Sequence, residues 1–168
     1  MNPQVSIIMG STSDLKIMEK AAKLLDEFEI PFEMNALSAH RTPKEVEDFA
    51  VHAEGRGIEI IIAGAGMAAH LPGVIASMTT LPVIGVPIDA SINGLDALLS
   101  IVQMPPGIPV ATVGINAAQN AAILAVQMLA LKDAALNTRL KSYKENLKQK
   151  IVEANEQLKE VKYSFKTN

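Results

Sequence analysis

The sequence lacks cysteine and tryptophan and contains only three histidines among its 168 residues. Without cysteine, the chain can form no disulfide, no thiolate nucleophile and no cysteine-ligated zinc site. No two histidines have the H-x-x-x-H spacing of a helical metal site, so we expect no metal centre. Aromatic residues make up 4% of the chain, which leaves few platforms on which nucleic-acid bases could stack.

Long apolar runs are also missing, although hydrophobic residues make up 49% of the sequence. No uninterrupted run reaches the roughly 18 residues that a membrane-spanning helix requires. The first residues lack the basic and apolar regions of a signal peptide. The sequence therefore predicts a cytoplasmic protein with no membrane partner, long enough for a single domain with a large core.

Charge is unevenly distributed along the chain. Residues 1–131 contain 6 basic and 13 acidic side chains, whereas residues 132–168 contain 9 basic and 5 acidic ones. A basic tail can bind nucleic acid, but here the charges alternate in sign along a helical pattern, which is typical of a solvated helix face. We therefore expect no nucleic-acid partner.

Strand-like and helix-like segments alternate along residues 1–131, with no internal repeat and no linker. Short apolar runs predict strands at residues 5–9, 32–37, 58–63, 83–86 and 110–113. Helical spacing of apolar residues predicts helices at residues 15–28, 43–54, 95–103 and 116–131. This alternation predicts an α/β fold with a doubly wound parallel sheet.

From Asp133 onward, apolar residues recur every three or four positions, which predicts a long amphipathic helix. The stripe comprises Leu136, Leu140, Tyr143, Leu147, Ile151, Ala154, Leu158 and Val161. A stripe of this length needs a covering surface, and it outruns a five-stranded sheet. We therefore expect a catalytic α/β domain at residues 1–131 and a helical extension at residues 132–168 that packs on a neighbouring subunit.

A helix start follows the second predicted strand. Thr42 as N-cap, Pro43 at the first helical position and Glu45 three residues after the cap predict a capping box. The residues just upstream therefore lie in a strand-to-helix loop at the carboxyl end of a strand. Open α/β sheets bind their ligands at that edge.

This strand-to-helix loop contains Ser38, His40 and Arg41. A helix N-terminus offers unpaired N–H groups and a partial positive charge, so Arg41 and the helix together could hold an anion beside a titratable imidazole. A surface ion pair of Arg41 and a single hydrogen bond of His40 would explain the same residues. The loop alone leaves both interpretations open.

The first predicted strand ends in Gly10-Ser11-Thr12-Ser13-Asp14. A strand, a loop of small residues and a helix, in that order, suit phosphate binding. Asp14 would repel a phosphate and suits ribose hydroxyls better. Capping of the following helix by Ser13 or Asp14 explains the loop equally well.

A third loop of small residues follows the predicted strand at residues 58–63 and runs from residue 64 to residue 73. Its candidate site residues are Gly66, Ala68, His70 and Leu71. Small side chains leave room for a ligand to approach the backbone, although they also suit tight helix packing. His40 and His70 both follow strand ends beside small residues, which favours a shared site more strongly than either residue alone.

Together with residues 98–105, these three loops closely resemble the class I PurE family, the N5-carboxyaminoimidazole ribonucleotide mutases of purine biosynthesis. The four segments occur in the family's order over roughly residues 5–131, which makes the match specific. The resemblance implies a single-domain, flavodoxin-like three-layer α/β/α sandwich with a parallel five-stranded sheet. It also implies a homo-octamer whose sites lie at subunit contacts.

The resemblance further implies an isomerase that needs no cofactor or metal and moves a carboxylate from the exocyclic nitrogen to C4 of a ribonucleotide. His40 would be the general acid and base, and His70 an orienting or pocket residue. The implied substrate-binding residues are Ser11, Asp14, Ser38, Arg41, Gly66, Ala68, His70 and Leu71.

Two alternatives compete with the mutase. The related class II enzymes carboxylate aminoimidazole ribonucleotide directly with CO2, carry Lys in place of Arg41 and lack the run at residues 68–72, so the resemblance favours class I. A nucleotide-binding module without catalysis is the alternative of another kind. The chain departs from the class I pattern at Met67, where glycine is common, and at Pro106, where glycine or a polar residue is frequent.

Overall fold

The computed structural model describes residues 2–168 and, within them, a parallel sheet of five strands. The strands are β1 (Val5–Met9), β2 (Phe32–Ala36), β3 (Ile60–Gly66), β4 (Val83–Ile88) and β5 (Ala111–Thr112). Their spatial order, β2-β1-β3-β4-β5, is that of flavodoxin-like folds, which confirms the predicted fold class. Because the order reverses between β1 and β3, their carboxyl ends flank the crevice in which such sheets bind ligands.

Helices cover both faces of this sheet. The helices of the chain are α1 (Leu15–Glu27), α2 (Pro43–His52), α3 (Leu71–Ala76), α4 (Leu95–Val102), α5 (Ala118–Leu129) and α6 (Ala134–Lys159), of which α1 to α4 lie within the unit that contains the sheet. On one face, α2, α3 and α4 contribute to a single apolar cluster that includes Ile8 and Ile61. On the other face, Met18 of α1 lies so close to Gly64 that a Cβ at that glycine would overlap its sulfur.

Isoleucine dominates the strand interiors. Ile7 and Ile8 of β1, Ile61 and Ile62 of β3 and Ile84 of β4 are all 0% exposed. Branched side chains suit the pleated surface, and central parallel strands are buried on both faces. Each such side chain contributes roughly 1.5–3 kcal/mol of burial free energy, so these strands form a rigid base for the loops at their ends.

The predicted bounds of the third strand were wrong, and the helix that follows it was missed. We expected a strand at residues 58–63 and a loop from residue 64, but β3 continues to Gly66 because Gly64 pairs with Met9 of β1 and Val86 of β4. Pairing on both sides outweighs the low strand propensity of glycine. Helix α3 was not predicted, since its six residues are too few to show helical periodicity.

The chain divides into two compact units, of which the first ends at Val126 and the second comprises Gln127–Asn168. The second unit contains α6, which confirms the predicted long helix. The Asp133 carboxylate accepts a hydrogen bond from the Leu136 N–H at 2.9 Å and caps the helix start. Of its apolar stripe, Leu136 is 3% exposed, whereas Ile151 is 66% exposed. The packing of this stripe on a neighbouring subunit stays a prediction.

No helix within residues 2–168 combines the length and the apolar character needed to cross a bilayer. In the same residues, no group of three or more His, Asp or Glu side chains is arranged to hold a metal ion.

Candidate active site

The loops that follow β1, β2 and β3 surround one cavity of about 460 Å³. It is lined by all nine residues that the sequence singled out: Ser11, Asp14, Ser38, His40, Arg41, Gly66, Ala68, His70 and Leu71. Ser13, Ala39, Met67 and Ala90 also line it. Ala90 follows β4, so a fourth strand end contributes. Its position two residues after the end of the apolar run, in the loop after the fourth strand, was the sequence signal that we missed.

The loop after β1 forms a short 3-10 turn, Thr12–Asp14, in front of α1. The Ser11 hydroxyl caps this turn by accepting a hydrogen bond from the Ser13 N–H at 3.3 Å. Asp14 is the N-cap of α1 by position, but its side chain makes no capping hydrogen bond, so the alternative that the Asp14 carboxylate caps the helix was wrong. The Asp14 carboxylate is therefore available to the cavity.

Burial raises the pKa of Asp14 above its usual value. Three weaker effects oppose this rise: a hydrogen bond from the Ser13 hydroxyl, a backbone hydrogen bond at Ser11 and the positive charge of Arg41. The Ser13 hydroxyl lies 3.2 Å from Asp14 Oδ1. The carboxylate thus sits in a place where its charge is disfavoured by desolvation, which is common in ligand sites.

The loop after β2 is closed by Thr42 rather than by a capping box. The Thr42 hydroxyl accepts from the Ser38 N–H at 2.9 Å and donates to the Ser38 carbonyl oxygen at 3.1 Å. Thr42 is the N-cap of α2 by position, but its side chain makes no capping bond, so the predicted capping box with Glu45 was wrong. The hydroxyl is instead used to tie the loop to its own start, which fixes the residues between.

Arg41 joins the first two loops. Its Nε donates to the Ser38 hydroxyl at 3.3 Å, and its Nη2 donates to the Gly10 carbonyl oxygen at 3.0 Å. The guanidinium is thereby held across the carboxyl ends of β1 and β2, where it remains exposed. A planar cation fixed in this way suits a carboxylate or a phosphate.

His40 and His70, from different loops, are in direct contact. His40 Nε2 lies 2.9 Å from His70 Nδ1, and the two rings meet edge to face with centroids 5.0 Å apart. Both rings are exposed to the cavity mouth. Only one proton fits between the two nitrogens, so the tautomer of one imidazole determines the role of the other.

The loop after β3 brings His70 to this position by a tight path. A Cβ at Gly66 would lie 2.8 Å from Ala90 Cβ and 3.2 Å from the Ile88 carbonyl oxygen, so only glycine fits. Met67 follows with φ of 56°. The Met67 carbonyl then accepts from the Ala69 N–H, and the Ala68 carbonyl accepts from the His70 N–H. Leu71 is buried at the start of α3 and anchors the end of the loop.

A second cavity, of about 480 Å³, lies between β2 and α2. Two of its polar side chains are already paired: Arg56 donates two hydrogen bonds of 3.0 Å to the Glu33 carboxylate, and His52 lies 3.1 Å from Asp48. It includes none of the predicted site residues. We therefore assign the chemistry to the cavity at the strand ends.

Comparison with known proteins identifies the family of the chain. The sequence profile of the AIR carboxylase family matches residues 4–150. An N5-carboxyaminoimidazole ribonucleotide mutase of Pyrococcus abyssi is 60% identical over 87% of this chain and 84% of its own. A mutase of the same name from Thermotoga maritima is 55% identical over 96% of this chain and 95% of its own. The crystal structure of Treponema denticola PurE is 32% identical, with a TM-score of 0.82 over 94% of this chain and 99% of that one.

Proposed function

This chain belongs to the AIR carboxylase family, and we propose that it is an N5-carboxyaminoimidazole ribonucleotide mutase. The enzyme moves the carboxylate from the exocyclic nitrogen to C4, which yields 4-carboxy-5-aminoimidazole ribonucleotide for purine (IMP) biosynthesis. The observation that carries this proposal is the His40–His70 pair in one cavity with Arg41 and Asp14. The names of relatives that share 60% and 55% of their aligned residues with the chain support it.

In this proposal the cavity binds the nucleotide by both ends. Arg41, held by Gly10 and Ser38, binds an anionic group of the substrate. Asp14 accepts hydrogen bonds from the ribose hydroxyls, and Ser11 can donate or accept them. A carboxylate suits ribose hydroxyls, whereas it would repel a phosphate. The small residues Gly66 and Ala68 leave space for the carboxylate beside the imidazoles.

The histidine pair supplies the proton that the reaction needs. When His40 donates its Nε2–H to His70 Nδ1, the other nitrogen of His40 is free to give or take a proton at the substrate. Protonated His40 delivers a proton to the exocyclic nitrogen as the N–C bond breaks and CO2 forms. C4 then attacks CO2, and His40 removes the C4 proton. His70 acts as a positioning residue, and the cycle consumes no cofactor.

We also propose a cytoplasmic homo-octamer with the sites near subunit contacts. Ile92, Leu95, Leu99 and Val102 are spaced three, four and three residues apart and are 70%, 49%, 48% and 46% exposed. Exposed apolar stripes of this kind mark protein–protein contacts. This stripe follows Ala90 in the chain, so a copy that covers it would approach the cavity.

Two substrates separate the candidate functions in an ultraviolet assay. The mutase converts N5-carboxyaminoimidazole ribonucleotide without added bicarbonate. A carboxylase of the second class instead turns over aminoimidazole ribonucleotide at low bicarbonate, and a binding module turns over neither. Consumption of the second substrate alone would contradict the mutase.

Light scattering tests the assembly. A chain shortened before Leu136 should have fewer subunits than the full chain, because it lacks the apolar stripe of α6. An unchanged subunit number would mean that α6 packs within its own chain.

A further inference from the structure

The cavity at the strand ends is polar on one side and largely apolar on the other. The loops after β1 and β2 contribute its hydroxyls and charges, among them Asp14 and Arg41. The ends of β3 and β4 contribute glycine, alanine, methionine and leucine. Among residues 2–168, His70 supplies the one polar side chain that lines the cavity on this second side. Because the strand order is β2-β1-β3-β4, Arg41 and Ala90 lie at opposite ends of the cavity.

Ala90 forms the far end of the apolar side. It lines the cavity from the loop after β4, and it is exposed. It also lies close to Gly66 of β3, since a Cβ added at that glycine would be 2.8 Å from the Ala90 Cβ. The two residues therefore form one continuous wall, at the opposite end of the cavity from the guanidinium.

Hydrogen bonds from Asn116 attach the chain next to Ala90 to the segment after β5. The Asn116 N–H donates to the Pro87 carbonyl oxygen at 2.8 Å. The Asn116 side chain accepts, through Oδ1, a hydrogen bond of 3.0 Å from the Asp89 N–H. Asp89 directly precedes Ala90, so a retreat of the wall from the cavity would cost the Asp89 N–H its partner.

We propose that Ala90 determines which bases the cavity accepts, a proposal that rests on the mutase function proposed above. The ribose and phosphate of a nucleotide are hydroxylated and charged, so they belong on the polar side with Asp14 and Arg41. The base then lies on the apolar side and meets the wall of Gly66 and Ala90. A methyl group at residue 90 leaves room for an imidazole with its carboxylate, whereas a longer side chain fills that space.

The size of a side chain is an effective filter at such a wall. One methylene more or less in an apolar pocket changes discrimination between ligands by about 10- to 200-fold. The ribose phosphate contacts the other side of the cavity, so its affinity should not depend on residue 90. Substitutions at Ala90 should therefore affect ligands that carry the base and spare those that lack it.

The test compares two ligands by calorimetric titration of the full chain: the product, 4-carboxy-5-aminoimidazole ribonucleotide, and ribose 5-phosphate, which lacks the base. In Ala90→Leu the Kd of the nucleotide should rise about tenfold or more. The Kd of ribose 5-phosphate should stay within about twofold of the wild-type value, because that ligand does not reach the wall. Thermal melts verify that each variant is folded. Ala90→Val, a smaller change, should have the same selective effect and gives the result if Ala90→Leu does not fold.

Ala36→Leu is the matched control, because Ala36 also lies at the end of a strand and is exposed but does not line the cavity. It should bind both ligands as the wild type does. An unchanged Kd of the nucleotide in folded Ala90→Leu, equal weakening of both ligands, or the same selective loss in Ala36→Leu would each overturn the proposal. So would a wild type that does not bind ribose 5-phosphate, since the polar side would then not hold that part of the nucleotide. A wild type that converts no N5-carboxyaminoimidazole ribonucleotide would instead remove the proposed function, whatever the Ala90 variants bind.

Discussion

The interior and the tip of β3 differ in almost every respect. Ile61 and Ile62 are 0% exposed and pair with strands on both sides. Only a few residues later, Met67 is 58% exposed with a positive φ, and His70 reaches out to a histidine of another loop. The interior contributes apolar packing, and the tip contributes groups that can hold charge or move a proton.

The same division holds on the neighbouring strands. Ile7 and Ile8 of β1 are 0% exposed, whereas the loop beyond them contains Asp14, whose pKa is raised by burial. Stability and activity should therefore separate by position along a strand. Functional groups at strand tips are often placed at some cost in stability, which the packed interior offsets.

The largest effect should come from the tip. In His40→Asn the amide can still donate to His70 Nδ1, but it cannot carry the proton, so we expect kcat to fall by about 10²–10⁴-fold. The melting temperature should change little, because His40 is exposed. Ultraviolet turnover and a thermal melt measure the two quantities. A near-normal kcat would contradict the role of His40.

The interior should respond in the opposite way. Ile62→Ala leaves a cavity at a fully buried position, so the free energy of unfolding should fall by about 2–5 kcal/mol. Ile62→Val, the milder control, should cost about 0.5–1.5 kcal/mol. Urea titration at constant protein concentration gives both values. Turnover per folded molecule should stay at the wild-type level. A large loss of kcat in either variant would contradict the separation of stability in the strand interior from activity at the strand tip.

The interior was also the part of the fold that the sequence predicted well. Runs such as residues 5–9 contain enough apolar residues between turn signals to define a strand. The end of β3 was misplaced because Gly64 gains its stability from pairing with Met9 and Val86, which are distant in sequence. Because glycine has no side chain, it adds nothing to the hydrophobic pattern from which a strand is predicted.

The site residues were predictable as a set, but their contacts were not. Strand ends and small residues identified the three loops, and the structure brings all of them to one cavity. The 2.9 Å contact of His40 with His70 joins residues 30 positions apart, so no local pattern contains it. The prediction of a capping box failed for a related reason. The Thr42 hydroxyl can bond either the backbone N–H of Glu45 in the first turn of α2 or the backbone of Ser38. In the folded chain it bonds Ser38 and closes the loop.

Asp14, in the loop after β1, provides a way to measure how much stability a functional group at a strand tip costs. Its pKa is raised in the folded state by burial, so the folded protein holds this proton to higher pH than the unfolded chain does. The stability that the protonated form contributes is present below the ordinary pKa of an aspartate, 3.8, and is lost as the pH rises through the raised pKa of the folded state. At pH 7 the carboxylate therefore destabilises the fold.

Asp14→Asn should consequently raise the melting temperature at pH 7, and the difference from the wild type should shrink as the pH falls toward 4. The same variant should raise KM about tenfold or more, because a hydrogen bond to a charged group is lost. Melts across pH and steady-state kinetics test both statements. A lower melting temperature at pH 7 would show that the carboxylate stabilises the loop instead.

The smallest effect should come from Ser13, whose hydroxyl influences the pKa of Asp14. The Ser13 hydroxyl lowers the pKa of Asp14 through its 3.2 Å hydrogen bond, so Ser13→Ala should raise that pKa further. If the ionised carboxylate binds ribose, the acid limb of kcat/KM should move to higher pH, while kcat/KM at neutral pH changes by only about twofold. Ser13→Thr keeps the hydroxyl and should keep the wild-type profile. A shift toward lower pH, or an equal shift in both variants, would mean that Ser13 acts through the shape of the turn.

Ser13→Ala should barely change the free energy of unfolding, because no buried apolar side chain is altered. The same measurement on Ile62→Ala should show a large loss.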